Sequence, residues 1–192
     1  MKIVLASKSP RRKELLGKLF DDFEIMTADI DESVEPGICP LQAVELLAVK
    51  KGAAVYENIG EEALVISSDT LVEFEGKPLG KPTNEKEAIS MLSSLSGNEH
   101  RVHTGVAVHY CGRVFSGVAS SAVRFRELSD TEIYDYVKSG EPMDKAGAYG
   151  IQGAAGKFVS GYDGDFDTIV GLSLALTKKL VDKAVKEAEN GR

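Results

Sequence analysis

The sequence predicts a mixed α/β domain, and three features carry that reading. A short apolar run is followed at once by a capped helix start. Two long segments alternate residue by residue across a two-residue turn. Several intervening stretches repeat apolar residues at helical spacing. A chain of 192 residues can bury a substantial core, and a single domain over residues 1–192 is expected.

Ile3-Val4-Leu5-Ala6 reads as a short buried strand. Ser9 is placed to cap a helix that begins at Pro10, because a serine hydroxyl can accept a first-turn N–H and proline has no N–H to leave unpaired. Leu15, Leu16 and Leu19 give that helix an apolar stripe, and Leu41–Tyr56 repeats the pattern with Val44, Leu47, Ala48 and Val55. Ala63–Ser67 is a second apolar strand, and Leu71–Phe74 followed by Glu75-Gly76 reads as a further strand and a tight turn. Asn84 with Glu87 three residues later opens a helix that ends near Gly97.

Val102, Thr104, Val106, Val108 and Tyr110 share one strand face, as do Val114, Ser116, Val118, Ser120 and Ala122. Cys111-Gly112 between them makes an antiparallel hairpin. Ser129 with Glu132 caps a short helix that Gly140-Glu141-Pro142 ends. Asp144–Lys157 is a glycine-rich loop, and the last twenty or so residues form an amphipathic helix with a polar tail.

Apolar residues at 43% and charged residues at 28% exclude disorder, collagen and coiled coil as descriptions of the whole chain. A net charge of −7 argues against a nucleic-acid polymer or an anionic membrane as partner. It does not exclude a small polyanion, provided the cations that meet it are concentrated locally. Cys39 and Cys111 are far apart, which rules out a disulfide framework or a zinc ribbon. Four apolar residues after Met-Lys are too few for a signal-peptide core, and no run approaches the ~18 apolar residues of a membrane helix. The expectation is a soluble cytoplasmic protein.

The strongest local signal is Ser7-Lys8-Ser9-Pro10-Arg11-Arg12, between a strand and a helix. Two arginines in a first turn oppose the positive end of the helix, and a bound phosphate would reverse the sign of that conflict. The competing reading is a surface helix whose arginines pair with Glu14 or with Asp21-Asp22. Asp69 follows the Ala63–Ser67 strand, and a carboxylate where the chain leaves the core is a catalytic or metal-binding position. Asp31-Glu32 adds carboxylates, while Lys51 and Lys81 add cations. His100, His103 and His109 lack the spacing of a zinc site, and Asp163-Gly164-Asp165-Phe166-Asp167 lacks the later ligands of a calcium loop.

Together, Ser7-Lys8-Ser9-Pro10-Arg11-Arg12, Ser68-Asp69-Thr70, Gly80-Lys81-Pro82 and the run Asp144-Lys145-Ala146-Gly147-Ala148-Tyr149-Gly150-Ile151-Gln152-Gly153 resemble the Maf nucleotide pyrophosphatases, in order and spacing, from residue 3 to about 176. The resemblance implies a Maf/Ham1 (ITPase-like) fold, an elongated mixed sheet flanked by helices with a deep cleft between two lobes. It implies hydrolysis of a nucleoside triphosphate between the α and β phosphates, and a divalent metal, Mg²⁺ or Mn²⁺. On the matching positions, Asp69 is the proton acceptor and Ser7, Arg11, Arg12, Lys51 and Lys81 face phosphate. Asp69 and Glu32 lie near the metal, and Arg12, Thr70 and Gln152 bear on base choice.

Thr70 with Gln152 looks like the branch acting on dTTP and UTP, modified pyrimidine nucleotides included, rather than 7-methyl-GTP. A 7-methyl-GTP-type or broad-specificity pyrophosphatase, a phosphatase releasing orthophosphate and a non-enzymatic nucleotide-binding division regulator remain the alternatives. A homodimer is left open. Gly52, Thr168 and Ser173 depart from the family's usual Ala, Asn and Pro, which bears on the shape of the C-terminal part of the site.

Overall fold

The computed structural model describes residues 1–35 and 37–190. In chain order they form β1 (Lys2–Ala6), α1 (Pro10–Leu16), β2 (Glu24–Met26), α2 (Pro40–Ile59), β3 (Ala63–Phe74), β4 (Lys77–Leu79), α3 (Glu85–Leu95), β5 (Glu99–Tyr110), β6 (Arg113–Phe125), α4 (Asp130–Lys138), β7 (Val159–Asp163), α5 (Phe166–Val170) and α6 (Leu174–Asn190). Short 3-10 turns occupy Glu141–Asp144, Ala146–Ala148 and Ala154–Phe158. The strands pair in the order β2-β1-β3-β5-β6-β7, with β4 on β3. β1 runs parallel to β2 and β3, whereas β4 and β7 are antiparallel to their partners, so the sheet is mixed, as the sequence predicts. Among the described residues no helix is long and apolar enough to cross a membrane.

The local signals act as the residues require. Ser9 accepts from Arg12 N at 3.5 Å and Pro10 opens α1. Asn84 accepts from Glu87 N at 3.0 Å, and Ser129 with Glu132 makes a reciprocal capping box on α4. Cys111 (φ 49) and Gly112 (φ 72) both adopt positive φ, as a two-residue turn between twisted strands demands. The segments Ala63–Ser67 and Leu71–Phe74 are not two strands, however. They are one twelve-residue strand, and Asp69 lies inside it rather than where the chain leaves the core. The polar run Ser67-Ser68-Asp69-Thr70 reads as a break, but its serines are satisfied. Ser67 Oγ donates to Ala48 O at 2.7 Å and Ser68 Oγ to Gly171 O at 2.9 Å, so the ladder continues through them. β2 and β4, at three residues each, are too short to announce themselves by periodicity.

The chain divides into two compact units. The first takes Met1–Asp69, Thr104–Ala119 and the segment after Val170, and the second takes Thr70–His103 and Ser120–Val170, so β3, β5 and β6 contribute to both. In the first unit, Val4, Ala6, Val55, Ala63 and Val65 form a buried cluster between strands and α2. Two glycines bring α2 close to the strands. A Cβ on Gly105 of β5 would meet the carbonyl carbon of Val44 at 2.7 Å, and one on Gly52 of α2 would meet Ser67 Oγ at 2.5 Å and His109 Cδ2 at 2.6 Å. A helix-interior glycine costs about 1 kcal/mol relative to alanine, whereas overpacking costs about 1–3 kcal/mol, so glycine is preferred at 52.

In the second unit, α3 and α4 pack on the sheet through Met91, Leu92, Leu95, Ile133, Tyr136 and Val137. Phe125, Tyr149 and Phe158 join them, with edge-to-face ring contacts at 4.9 Å (Phe125–Tyr149) and 6.1 Å (Phe125–Phe158). The close approach in the first unit gives a direct expectation. Gly105→Ala should lower unfolding stability by about 1–3 kcal/mol in chemical denaturation, and an unchanged midpoint would show that α2 can move aside.

Candidate active site

β1 ends in the core and delivers Ser7, which is buried, to the start of α1. Ser7 Oγ accepts from Ser9 N at 3.2 Å and from Arg12 Nη1 at 3.5 Å. Arg12 Nε donates to Gly171 O at 2.9 Å, the same carbonyl that Ser68 Oγ reaches at 2.9 Å. Gly171 itself has φ +127, a conformation that side chains disfavour. Arg12 is therefore tethered to the body of the unit through Gly171. Burial holds its guanidinium below the ordinary value, Asp69 opposes that shift, and Arg11 adds to it. Two cations therefore lie side by side here, one of them desolvated, with Asp69 and Glu32 acting on Arg12. α1 has seven residues and its Arg12 N–H is taken by Ser9, so what this helix start offers is side-chain donors rather than a long helix dipole.

Asp69 is buried on β3. Lys51 of α2 places its Nζ 2.5 Å from Asp69 Oδ1 and 3.1 Å from Glu32 Oε1. The fold thus gathers Ser7, Arg12, Lys51, Glu32 and Asp69 in one unit. Asp31 turns aside, since its carboxylate takes Ser33 N at 2.8 Å and Ser33 Oγ at 2.6 Å, which hold its pKa below the ordinary carboxylate range. Among the described residues no group of three or more His, Cys, Asp or Glu converges as a metal cage. The donor set still fits Mg²⁺ or Mn²⁺. Two carboxylates already meet on one cationic nitrogen, and such ions are commonly held by one or two carboxylates with phosphate oxygens and waters completing the shell.

Thr70, Lys81 and Gln152 belong to the second unit. Lys81 is exposed just after β4, and Gln152 is exposed in the glycine-rich loop. Gly147 ties these segments together. Its N–H donates to Gly80 O at 3.0 Å, and a Cβ on it would meet Val72 Cγ2 at 2.9 Å. Two supporting residues, Gly171 and Glu141, escaped the sequence reading, and Ser68 entered it only as part of the Ser68-Asp69-Thr70 run. Their roles are hydrogen bonds between segments remote in sequence, and only the glycine hints at one. One of the C-terminal departures has a local explanation, and nothing in the structure explains Thr168. Ser173 Oγ accepts from Leu176 N at 3.4 Å and so caps α6, a role proline cannot fill, and Thr168 is fully buried in α5.

The three histidines serve the framework. His109 Nε2 lies 3.2 Å from Val49 O, and His103 lies between Ser120 Oγ (2.7 Å) and Glu73 Oε2 (2.9 Å). His100 Nε2 meets the Tyr149 hydroxyl at 2.7 Å, anchoring the glycine-rich loop, and burial pushes the His100 pKa down to about 4. Its folded value lies below the unfolded one, so the neutral ring contributes stability above about pH 6.5 that is lost as pH falls toward 4. Between pH 7 and pH 5 the unfolding free energy should drop by about 2 kcal/mol from this residue. His100→Gln should flatten that dependence, and an equal slope in the variant would remove His100 as its source.

With this geometry in place, comparison with known proteins is informative. The family model described as Maf-like protein matches residues 2–184. A dTTP/UTP pyrophosphatase of Photorhabdus laumondii is 46% identical over 181 residues, covering 94% of this chain and 93% of its own. A dTTP/UTP pyrophosphatase of Moorella thermoacetica is 48% identical over 182 residues, covering 94% and 93%. The solved structure of the Staphylococcus aureus Ham1 protein superposes over 100% of both chains with a TM-score of 0.50 at 15% identity, which is a likeness of fold. The match along nearly the whole chain means that the chain belongs to the Maf family.

Proposed function

We propose that this protein is a nucleoside triphosphate pyrophosphatase that hydrolyses dTTP and UTP to the monophosphate and pyrophosphate. The observation that carries the reading is the convergence of Lys51 on Asp69 and Glu32 in the unit that also holds Ser7 and Arg12. The names of the relatives support the pyrimidine preference.

Hydrolysis of a phosphoanhydride requires the triphosphate charge to be met, a water to be aimed at one phosphorus, and its proton to be accepted. Ser7, Arg11 and Arg12 bind phosphate oxygens, and the guanidinium fork suits them better than a point charge would. Lys51 occupies Asp69 Oδ1, which fixes the carboxylate and leaves Oδ2 to take the proton of the attacking water. The water attacks the α phosphorus, the α–β bridging bond breaks, and pyrophosphate leaves. In the second unit we assign Lys81 to phosphate, and Thr70 and Gln152 to base choice. Gln152 offers both a donor and an acceptor, as the O4/N3 edge of uracil or thymine requires. Asp69 and Glu32 would hold Mg²⁺ or Mn²⁺, which when bound offsets phosphate charge and lowers the pKa of a coordinated water. The nucleotide substrates and the two free, exposed cysteines support a cytoplasmic location.

Asp69→Asn should lower pyrophosphate release at least a hundredfold while the thermal midpoint stays near that of the parent, and near-normal turnover would remove Asp69 from the mechanism. Treatment with EDTA should abolish turnover and Mg²⁺ or Mn²⁺ should restore it. Full activity in chelator would refute the metal assignment, and orthophosphate as the sole product would refute the pyrophosphatase reading.

A further inference from the structure

We propose that Glu141 is a positioning residue that holds the Gly150–Gly156 loop, and with it Gln152, in the place from which the base is read. This rests on the assignment of Gln152 to base choice. Glu141 follows α4 at the left-handed Gly140 (φ 76), which turns the chain so that the side chain reaches the loop. Its two carboxylate oxygens have separate tasks. Oε2 accepts from Ala154 N at 3.2 Å, and Oε1 accepts from the Tyr136 hydroxyl at 3.2 Å. Tyr136 is buried in the core of the unit, so the carboxylate links the loop to the core. Burial and the neighbouring Glu141 push the phenol pKa up, which keeps it a donor.

The glycines show how closely the loop lies on this support. A Cβ on Gly153 would run into the Glu141 carboxylate, and one on Gly150 would meet Lys145 Cε at 2.8 Å. Lys145 is itself held, because its Nζ donates to Glu141 O at 2.7 Å and to Asp144 Oδ1 at 2.7 Å. Neither glycine has a positive φ, so the small residue serves close approach rather than backbone freedom. Gln152 sits between them, in a turn closed by Gly153 N donating to Gly150 O at 3.0 Å. Two residues beyond Gln152 comes Ala154, the one that Glu141 grips.

This arrangement bears on specificity for a chemical reason. A glutamine amide can turn over and present either order of donor and acceptor. Taken alone it can bond the N3–H/O4 edge of uracil or the N3/N4 edge of cytosine. Discrimination therefore has to come from where the amide is held, and just beyond Gln152 the loop is gripped by the Glu141 carboxylate.

The test measures kcat/KM for UTP, dTTP and CTP, with pyrophosphate as the scored product, in the parent, Glu141→Ala, Glu141→Gln and Gln152→Ala. Inhibition by inorganic tripolyphosphate reports phosphate binding separately, and thermal midpoints report folding. Glu141→Ala should lower kcat/KM for UTP and dTTP on the order of tenfold, mainly through KM, and move the UTP-to-CTP ratio toward that of Gln152→Ala. Tripolyphosphate inhibition should not change. Glu141→Gln should keep the parent ratio, because its carboxamide oxygen can accept from Ala154 N–H while its NH₂ donates to the Tyr136 oxygen. If Gln152→Ala shifts the ratio and Glu141→Ala does not, the Glu141 proposal fails and the base reading stands. If Gln152→Ala leaves the ratio unchanged, the base reading fails and takes the proposal with it. A Glu141→Gln variant as impaired as Glu141→Ala would show that charge, not the paired hydrogen bonds, is what matters, and would overturn a positioning role based on those bonds.

Discussion

The ion pair between Lys51 and Asp69 is the contact on which the first unit's arrangement turns. Its two ends come from different kinds of element, a helix and the middle of a long strand, and neither side chain is well exposed. A nearly buried carboxylate without a partner is expensive, and so is a nearly buried ammonium, so the fold must keep the two together. The separation of α2 from β3 therefore has to be short and reproducible. Gly52, one residue after Lys51, lets the helix approach Ser67 and His109, and Gly105 of β5 does the same opposite Val44, nearer the start of α2. Glu32 then reaches the same nitrogen from a loop, which makes Lys51 the centre of a three-charge group rather than one half of a surface pair.

A second constraint places the cations. Gly171 O receives both Arg12 Nε and Ser68 Oγ, so one carbonyl near the start of α6 orients the arginine and satisfies the buried serine beside Asp69. An arginine held this way has little side-chain freedom left to lose, which is what preorganised recognition of charge requires. The net charge of −7 is therefore a poor guide to the ligand. Opposite charges are sorted over a few ångströms around Asp69, and the total charge says nothing about that sorting.

The second unit relies on different physics. Its loop Ala146–Phe158 has little regular structure and is held by contacts with the core. Tyr149 packs against Phe125 and bonds to the buried, neutral His100, and Gly147 is pinned between Val72 and Gly80 O. Glu141 and Lys145 complete the support beneath Gly153 and Gly150. A loop built in this way can present an exposed side chain such as Gln152 at a defined place although its own backbone bonds are few.

By itself the sequence determined the mixed α/β class, the capped starts of α1, α3 and α4, the β5–β6 hairpin and the chemistry-bearing segments Ser7–Arg12, Ser68–Thr70, Gly80–Pro82 and Asp144–Gly153. These are local matters: a serine before a proline, a two-residue turn of positive φ, an alternation of period two, a run of residues met together in one family. Tertiary structure alone decided that Asp69 lies within a continuous strand, because the polar run around it is satisfied by Ala48 O and Gly171 O, which are remote in sequence. It alone brought Glu32 rather than Asp31 to Lys51, and Glu141 to the Gln152 loop. Hydrogen bonds and close approaches between distant segments leave no periodicity in the chain. Apart from a glycine where a side chain would not fit, they become visible only when the strands and helices have been brought together.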